Sequence, residues 1–248
     1  MKTVVIIPSR YGSTRFDGKP LAMISGKSMI QWVYERAACA EHVDYVVVAT
    51  DDMRIVSAVN GFGGKTILTA AENRSGTDRV AEAAEKLNLS ADDIVVNIQG
   101  DQPCIHPACI QEVTAPLKDN PDVPMSTLAF KIVNPEEITN PKDVKVTFDA
   151  LGNALYFSRA SIPHARDAFT VFDTYKHLGI YAYTRRFLDI FRGLPDGRLE
   201  NIEKLEQLRA MEYGYRIQVI VTEHDSPEVD IPEDIHRIQA HLHRVERF

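Results

Sequence analysis

Three cations lie among small residues directly after the first predicted strand: Arg10, Arg15 and Lys19. The preceding apolar run, residues 3–8, is typical of a buried strand, and ligands of open α/β sheets bind beyond the carboxyl ends of strands. A backbone rich in Gly, Ser and Thr can approach phosphate oxygens closely, and its amides can form an anion-binding nest. The segment 9–20 therefore predicts a nucleoside triphosphate site, with an ordinary loop of solvated cations as the alternative.

The same segment does not match a P-loop. Five residues separate Gly12 from Gly18, whereas a P-loop has four. Pro20 also stands where a Ser or Thr hydroxyl would hold Mg²⁺. A magnesium site would therefore need ligands from another part of the chain.

Two aspartates are candidates for that role. Asp101 follows the predicted strand 94–98, and Gly100 allows a sharp turn before it. Proteins bind Mg²⁺ through one or two carboxylates together with phosphate oxygens and water. Asp230 precedes a predicted helix that begins near Pro232. Capping or an ordinary loop position is the alternative, and the two aspartates can share one metal only if the fold brings them together.

Two further segments have residues suited to anions. Ser75 begins a predicted helix whose free amides could bind a base or a phosphate, and Arg79 adds a positive charge. Arg159 ends a predicted strand, and its forked guanidinium is suited to a carboxylate. An N-cap and a structural arginine are the alternatives.

Polar residues that could bind a sugar occur later in the chain. His177 and Tyr181 would lie on the same face of a predicted strand. Glu206 and Gln207 lie on a predicted helix, where a solvated face is the alternative.

The elements that must position these residues indicate an α/β fold. The predicted strands of the N-terminal half are 4–7, 45–49, 65–69 and 94–98, and the helices between them are 28–39, 52–60 and 77–87. This alternation predicts parallel strands with right-handed crossovers. The polar residues at the strand ends would then line one cleft.

The middle of the chain has a different pattern. Strand-like runs at 125–133, 144–149, 154–159 and 179–183 predict an antiparallel region at 125–185, with a hairpin turn at 149–153. We expect this region to be inserted into the parallel core. Predicted helices at 185–192 and 199–213, a strand at 216–222 and a final helix complete one domain over residues 1–248.

Composition excludes several classes of protein. The net charge of -7 argues against a nucleic-acid partner. No apolar stretch approaches the roughly 20 residues of a membrane span, and the N-terminus lacks the layout of a signal peptide. Three cysteines favour a reducing cytoplasm over a disulfide framework. Cys104, His106 and Cys109 lack a fourth zinc ligand, so core and helix-start positions are the better interpretation.

Taken together, these segments resemble the 3-deoxy-manno-octulosonate cytidylyltransferases, also called CMP-Kdo synthetases. The matching segments follow the family order over essentially the whole chain: 7–10 with 18–20, 49–51, 75–79, 97–101, 154–159, 176–181, 205–209 and 229–234. The first is common to many sugar nucleotidyltransferases. The motifs Tyr-Phe-Ser-Arg at 156–159, His-Leu-Gly-Ile-Tyr at 177–181 and Leu-Glu-Gln-Leu-Arg at 205–209 are far more specific.

The resemblance implies a GT-A-like α/β fold with a mostly parallel, Rossmann-like sheet. It also implies a cytoplasmic enzyme of lipopolysaccharide biosynthesis that transfers CMP from CTP to the anomeric hydroxyl of an eight-carbon acidic sugar and releases pyrophosphate. Mg²⁺ and a homodimer are implied as well, with the 125–185 region binding sugar and contacting the second subunit. A cytidylyltransferase for another acidic sugar is one alternative. A non-catalytic nucleotide-binding or scaffold domain is the other, and the presence of Lys19, Asp101 and Asp230 argues against it.

The resemblance also assigns roles by position. The implied CTP ligands are Pro8, Ser9, Arg10, Arg15, Lys19, Ser75, Arg79 and Gln99. The implied sugar-acid ligands are Arg159, His177, Tyr181, Glu206 and Gln207. Asp101 and Asp230 would hold Mg²⁺, and Arg10, Lys19 and Asp101 would be catalytic.

Two departures from the family pattern bear on the substrates. Phe16 and Asp17 replace the usual Leu-Pro, which puts an anion beside the phosphate segment. Glu228 and Ile231 replace the usual Gly and Thr around Asp230. The residues at 175–177 and 228–230 also resemble a subgroup that uses the 8-amino form of the sugar acid. The group at position 8 therefore stays open.

Overall fold

The computed structural model describes residues 1–12, 15–167 and 169–245. Its strands are Thr3–Pro8 (β1), Met23–Ile24 (β2), Lys27–Ser28 (β3), Tyr45–Thr50 (β4), Thr66–Leu68 (β5), Ile94–Asn97 (β6), Met125–Lys131 (β7), Lys145–Phe148 (β8), Ala154–Ser158 (β9), Tyr175–Thr184 (β10) and Gln218–Thr222 (β11). Its α-helices are Met29–Ala38 (α1), Met53–Gly61 (α2), Gly76–Lys86 (α3), Ala108–Asp119 (α4), Glu136–Thr139 (α5), Arg185–Gly193 (α6), Arg198–Glu203 (α7), Gln207–Glu212 (α8) and Asp234–Val245 (α9). A short 3-10 helix covers Lys19–Leu21.

A central sheet with the strand order β11-β7-β10-β6-β1-β4-β5 organises the molecule. β1 pairs in parallel with both β4 and β6, and β11 pairs in parallel with β7. β10 is antiparallel to both of its main-sheet neighbours, β6 and β7. The predicted α/β class with a mostly parallel sheet is therefore confirmed.

The structure differs from the prediction that region 125–185 is an antiparallel insertion packed on the parallel core. Its first and last strands, β7 and β10, are themselves members of the central sheet. Of the described strands in this region, only the β8–β9 hairpin lies off the main path, where β8 pairs with the start of β10. The reason is that β10 is ten residues long and pairs with β7 near both of its ends. Its other edge is divided, with 181–184 paired to β6 and 175–176 paired to β8.

The two faces of the sheet bury separate apolar cores because side chains alternate along each strand. Val4 and Ile6 face one core, into which α3 and α6 pack. Val5 and Ile7 face the other core, against α1, α2 and α4. All four strand residues are fully buried. The centre of the sheet thus holds the carboxyl end of β1 in place. The segment 9–20, here called the cationic segment, begins at that end.

A third, smaller core lies beside that segment. It joins Ile24, Met29 and Trp32 to Val229 and to α9 through Ile238 and Leu242, and Phe16 packs against it. Phe16, which stands where the family usually has Leu, therefore packs its aromatic ring between the cationic segment and the core formed with α9.

The predicted helix 199–213 is interrupted in the structure. Lys204 adopts a left-handed conformation with φ of 55°, which ends α7 before α8 begins. The two helices are joined instead by Arg209, whose Nε donates to Glu200 Oε2 at 2.7 Å. No helix of the described residues is long and apolar enough to cross a membrane.

Candidate active site

The cationic segment, Asp101 and the chain around Asp230 converge at the carboxyl ends of the strands. Val229 donates its backbone N–H to the carbonyl of Asp101 at 3.0 Å. The Val229 carbonyl accepts a hydrogen bond from Lys19 Nζ, also at 3.0 Å. Lys19 Nζ lies 2.5 Å from Asp101 Oδ2, and Arg15 pairs with Asp230 at 3.1 Å. The fold therefore brings together the two distant aspartates, as a shared metal would require.

Two cavities open at this point, and Arg15 lines both. The smaller has a volume of about 350 Å³ and is lined by Pro8, Ser9, Arg10, Arg15, Lys19, Pro20, Asn73, Arg74, Ser75, Gly76, Arg79, Gln99, Gly100, Asp101 and Glu206. All eight residues predicted to bind CTP are in this lining. Five of the lining residues are Arg or Lys and two are carboxylates. The excess positive charge suits a polyanion.

The backbone of the cationic segment is folded tightly at its base. Gly18 has φ of 67° and donates its N–H to the Tyr11 carbonyl at 3.1 Å. The Arg54 guanidinium stacks 3.2 Å from the centre of the Tyr11 ring, and it is itself held by Asp52 at 2.6 Å. Ser13 and Thr14, part of the predicted phosphate segment, lie outside the described residues.

Asp101 fits the role of a cation ligand on structural grounds. Its Oδ2 contacts Lys19, but its Oδ1 is buried with no hydrogen-bond partner. A buried acceptor without a partner is costly, and a bound cation would satisfy it. Gly100 precedes it because a Cβ there would lie 3.2 Å from the Pro8 carbonyl oxygen. Among the described residues no group of three or more His, Cys, Asp or Glu residues is arranged to hold a metal.

The start of α3 forms the wall opposite Lys19. Ser75 caps this helix by accepting a hydrogen bond from the Asp78 N–H at 3.1 Å, so the capping alternative is correct for its side chain. Arg79 is 5% exposed, and its Nη1 lies 2.5 Å from Thr69 Oγ1 and 3.2 Å from Asp51. Arg79 lines the smaller cavity, but its guanidinium is fixed by these partners.

The larger cavity has a volume of about 730 Å³. It is lined by Arg15, Asn134, Glu136, Glu137, Asn140, Lys142, Asp143, Val144, Arg159, Lys176, His177, Leu178, Gly179, Asp225, Ser226, Pro227, Glu228, Asp230, Asp234 and Arg237. Seven of these residues are carboxylates and five are Arg or Lys. This lining is polar and of mixed charge, unlike that of the smaller cavity.

Lys176 forms ion pairs with carboxylates from two separate walls of the larger cavity. Its Nζ lies 3.0 Å from both Glu137, on α5, and Asp225, which follows β11. Burial lowers the pKa of Lys176, but the two carboxylates more than offset this effect and raise it overall. Sequence reasoning gave Lys176 no role, because its partners come from distant segments.

The predicted sugar-acid ligands are divided between several environments. Arg159 and His177 line the larger cavity, whereas Glu206 lines the smaller one and accepts a hydrogen bond from Thr77 Oγ1 at 2.7 Å. Burial raises the pKa of Glu206, although hydrogen bonds from Thr77 and Ser75 oppose the effect. Tyr181 and Gln207 are 8% and 3% exposed, and neither lines the two cavities formed by the described residues.

Most side-chain N–H donors of Arg159 are already used in hydrogen bonds within the protein. Its Nε donates to the Glu203 carbonyl at 2.7 Å, its Nη1 to Pro141 at 2.9 Å and its Nη2 to Lys204 at 3.4 Å. Its backbone N–H donates to the Glu203 carboxylate at 3.0 Å. Two of its five side-chain N–H groups remain for a ligand, since the guanidinium has five donors.

Glu228 is the residue of this site that sequence reasoning noted without assigning a role. It lines the larger cavity, and its Oε1 accepts a hydrogen bond from Gln102 Nε2 at 3.1 Å. Partial removal from water and the carboxylates of Asp101 and Asp230 raise its pKa, although the side chain remains exposed to the open cleft. Its departure from the family's usual Gly was the signal that could have identified it.

The cysteines behave as core residues. Cys104 and Cys109 are buried, and burial raises the pKa of their thiols to about 12 and about 11. High thiol pKa values disfavour the thiolate that zinc requires. The interpretation of these residues as core positions is consistent with this environment.

Comparison with known proteins agrees with the geometry. The model of the cytidylyltransferase family matches residues 4–219. A 3-deoxy-manno-octulosonate cytidylyltransferase of Desulfatibacillum aliphaticivorans is 66% identical over 98% of this chain and 99% of its own. An 8-amino-3,8-dideoxy-manno-octulosonate cytidylyltransferase of Shewanella piezotolerans is 54% identical, with coverage of 98% and 99%.

A solved structure extends this likeness to three dimensions. A CMP:2-keto-3-deoxy-manno-octonic acid synthetase complexed with CTP superposes with a TM-score of 0.92 and is 43% identical, covering 98% of this chain and 99% of that one. The predicted resemblance is confirmed, and the chain belongs to the cytidylyltransferase family, whose members are nucleotidyltransferases.

Proposed function

We propose that this enzyme transfers CMP from CTP to the anomeric hydroxyl of 3-deoxy-D-manno-octulosonate and releases pyrophosphate. The observation that carries the proposal is the meeting of a cationic cavity and a polar cavity at Arg15, which lines both and pairs with Asp230 of the polar cavity. A polyphosphate in the first and a sugar acid in the second would place their reacting groups at this junction. The relatives named for this sugar, 66% and 65% identical, support the choice of acceptor.

The reaction balances without a redox or covalent enzyme step. The oxygen of the sugar hydroxyl forms a bond to the α-phosphorus of CTP, and the bond from that phosphorus to the β-bridging oxygen breaks. The hydroxyl proton passes to a base or to solvent, and pyrophosphate leaves with the electron pair. Positioning and charge stabilisation supply most of the acceleration in such transfers.

The residues of the smaller cavity have complementary roles in this proposal. Arg10, Arg15 and Lys19 neutralise the triphosphate and stabilise the departing pyrophosphate. Lys19 has three N–H donors, of which two are used by Asp101 and Val229, so one remains for a phosphate oxygen. Pro8, Ser9, Ser75, Arg79 and Gln99 shape the remaining wall.

Asp101 and Asp230 would hold Mg²⁺ together with phosphate oxygens. The unpartnered Oδ1 of Asp101 and the hydrogen bond that draws Val229 to Asp101 support this assignment. When bound, the metal would offset charge that develops at the α-phosphate. Arg15 and Lys19 orient the two carboxylates in its absence.

The 8-amino form of the sugar acid is the second candidate acceptor. Relatives named for it are 52–54% identical over 98% of this chain. The excess of carboxylates in the larger cavity, with Glu228 among them, would also suit an ammonium group. The relatives named for the hydroxyl form have higher identity, 66% and 65%, so the hydroxyl form remains the first candidate.

Assembly and cellular role follow from the same proposal. The reaction would supply an activated sugar acid for lipopolysaccharide biosynthesis in the cytoplasm. We also infer a homodimer that forms through the 125–185 region. Phe169 and Val171 of that region are 96% and 97% exposed, and such apolar exposure is typical of an interface.

A pyrophosphate-release assay tests the proposed activity. CTP, ATP, GTP and UTP are each paired with 3-deoxy-D-manno-octulosonate, its 8-amino form and a nine-carbon sialic acid. The proposal predicts the highest kcat/KM for CTP with the first sugar. A higher value with the 8-amino form would select the second candidate, and a higher value with the nine-carbon acid would overturn both.

A further inference from the structure

A bulge in β10 separates His177 from Tyr181. His177 pairs with Ala129 and Tyr181 with Thr127, so residues four apart on β10 oppose residues two apart on β7. Within the bulge, Gly179 has φ of 67°, a conformation that favours glycine. Bulges interrupt ladder hydrogen bonds and re-aim side chains, often beside active sites.

Side chains satisfy the two carbonyls on either side of Gly179. The Leu178 carbonyl accepts a hydrogen bond from Gln102 Nε2. The Ile180 carbonyl accepts one from Thr127 Oγ1 at 2.7 Å. Thr127 is fully buried, so its hydroxyl has no alternative partner in solvent. A carbonyl oxygen can only accept, so its 2.7 Å contact with Oγ1 requires that the single hydroxyl hydrogen point to Ile180 and not to a neighbouring ring nitrogen.

That commitment determines the proton on His177. The Nε2 atom of His177 lies 2.9 Å from Thr127 Oγ1. Since the hydroxyl hydrogen points to Ile180, Oγ1 can only accept from the ring, and Nε2 must carry a hydrogen. Burial lowers the pKa of His177 to about 3, so the ring is neutral near pH 7. Its Nδ1 is then an acceptor.

We propose that Thr127 is a positioning residue that fixes His177 as the Nε2–H tautomer, so that Nδ1 accepts a hydrogen bond from an O–H or N–H donor of the sugar acid. His177 lines the larger cavity, and Phe157 and Tyr181 hold its ring at centroid distances of 5.1 and 5.2 Å. The lone pair on Nδ1 repels a carboxylate. His177 therefore binds a hydroxyl or an ammonium group of the sugar and not its acid group. This inference rests on the proposed function, which places the sugar in this cavity.

The tautomer can be measured without any substrate. Long-range ¹H–¹⁵N NMR of the full chain at pH 7.5 distinguishes the two neutral tautomers and the imidazolium, and a His177→Gln variant identifies the signals of His177. We expect the Nε2–H pattern in the wild type and in Thr127→Ser. An Nδ1–H or doubly protonated ring in the wild type would overturn the proposal, whatever the enzyme acts on.

Kinetics then test the consequence for the sugar. Thr127→Val leaves the ring hydrogen without its acceptor, so we expect the KM for the sugar acid to rise about tenfold, the change that corresponds to one lost buried hydrogen bond. The KM for CTP should stay unchanged, and Thr127→Ser should restore the wild-type value. Thr114→Val is the matched control, because that buried hydroxyl donates within α4 to the Gln111 carbonyl at 3.1 Å, away from His177.

The outcomes separate this inference from the proposed function. An altered His177 signal in Thr127→Val with an unchanged KM for the sugar acid would overturn the role of His177 as a reader of the sugar. Absence of turnover with every sugar acid, with the Nε2–H pattern intact, would contradict the proposed function and leave the tautomer established. A raised KM in Thr127→Val but not in Thr127→Ser or Thr114→Val supports the proposal.

Discussion

Asp101 and Lys19 form an ion pair that leaves groups of both residues free for a ligand. Lys19 is 16% exposed and Asp101 22%, so their contact at 2.5 Å lies in a partly dehydrated site where charge interactions are stronger than in water. One oxygen of Asp101 and one donor of Lys19 remain available. In the proposed function the free oxygen would contact a metal ion and the free donor a phosphate oxygen, both in the smaller cavity that the pair lines.

Removal of either aspartate charge should disable turnover without unfolding the protein. We expect Asp101→Asn and Asp230→Asn each to lower kcat by about a hundredfold or more, the scale of losing one key electrostatic contact. The measurement is pyrophosphate release at saturating CTP and Mg²⁺, with circular dichroism to check folding. Asp92→Asn is the control, since that carboxylate is 81% exposed and pairs with Arg186 on the surface of the described chain. Near wild-type turnover in either site variant would remove that residue from the metal assignment.

His177 should also affect stability at acidic pH. Its pKa is about 3 in the folded protein and near 6.5 in an unfolded chain. Between these values the unfolded chain binds a proton that the folded protein excludes, so stability falls as the pH falls. Urea midpoints at pH 7.5 and 5.0 should therefore differ more in the wild type than in His177→Gln. The exposed His164→Gln variant should match the wild type. Equal pH dependence in all three proteins would show that the folded protein does not keep the His177 ring neutral.

At the scale of elements, sequence patterns predicted most positions but not the pairings. Alternating apolar runs identified β1, β4, β5 and β6, since buried parallel strands read as short β-branched runs. The placement of β7 and β10 inside the central sheet was missed, because sheet order depends on contacts between distant segments. The cavity at the strand ends was predictable, since all eight predicted CTP ligands line it. The contacts of Gln102, Thr127 and Lys176 depend on partners that no local pattern reveals.

The contacts of Arg159 give it a structural role at the junction of elements. It joins the end of β9 to the break between α7 and α8 through hydrogen bonds to the Glu203 and Lys204 carbonyls. We expect Arg159→Ala to lower the free energy of unfolding by about 2 kcal/mol, as for hydrogen bonds from a charged donor. Urea denaturation checks this value. A stable Arg159→Ala variant with only a raised KM for the sugar acid would instead favour the purely ligand-binding role implied by the resemblance.

At the scale of the whole molecule, charge is distributed unevenly. The chain has a net charge of -7, yet the smaller cavity is lined by five cations and two carboxylates. Local concentration of positive charge within an acidic protein favours a small polyanion over a nucleic acid, which needs an extended basic face. The sequence predicted this site because its cations are close together in the chain.

The proposed dimer can be tested by mass. Multi-angle light scattering should give about twice the monomer mass of 27.8 kDa for the wild type. Phe169→Asp combined with Val171→Asp should shift the protein towards the monomer, because the charges would be buried unpaired in the interface. Met53→Asp, at a side chain that is 65% exposed on α2, is the control. A monomeric wild type, or a double variant that remains dimeric, would exclude this region as the interface.

The central claim is the coupling of CTP to a sugar acid, and ³¹P NMR of one reaction mixture tests it most directly. With CTP, Mg²⁺ and 3-deoxy-D-manno-octulosonate, a phosphodiester signal from the CMP-linked sugar and a pyrophosphate signal should grow in equal amounts as CTP disappears. No signal should change when the sugar is omitted. Formation of CDP and inorganic phosphate, or loss of CTP without the sugar, would contradict the account.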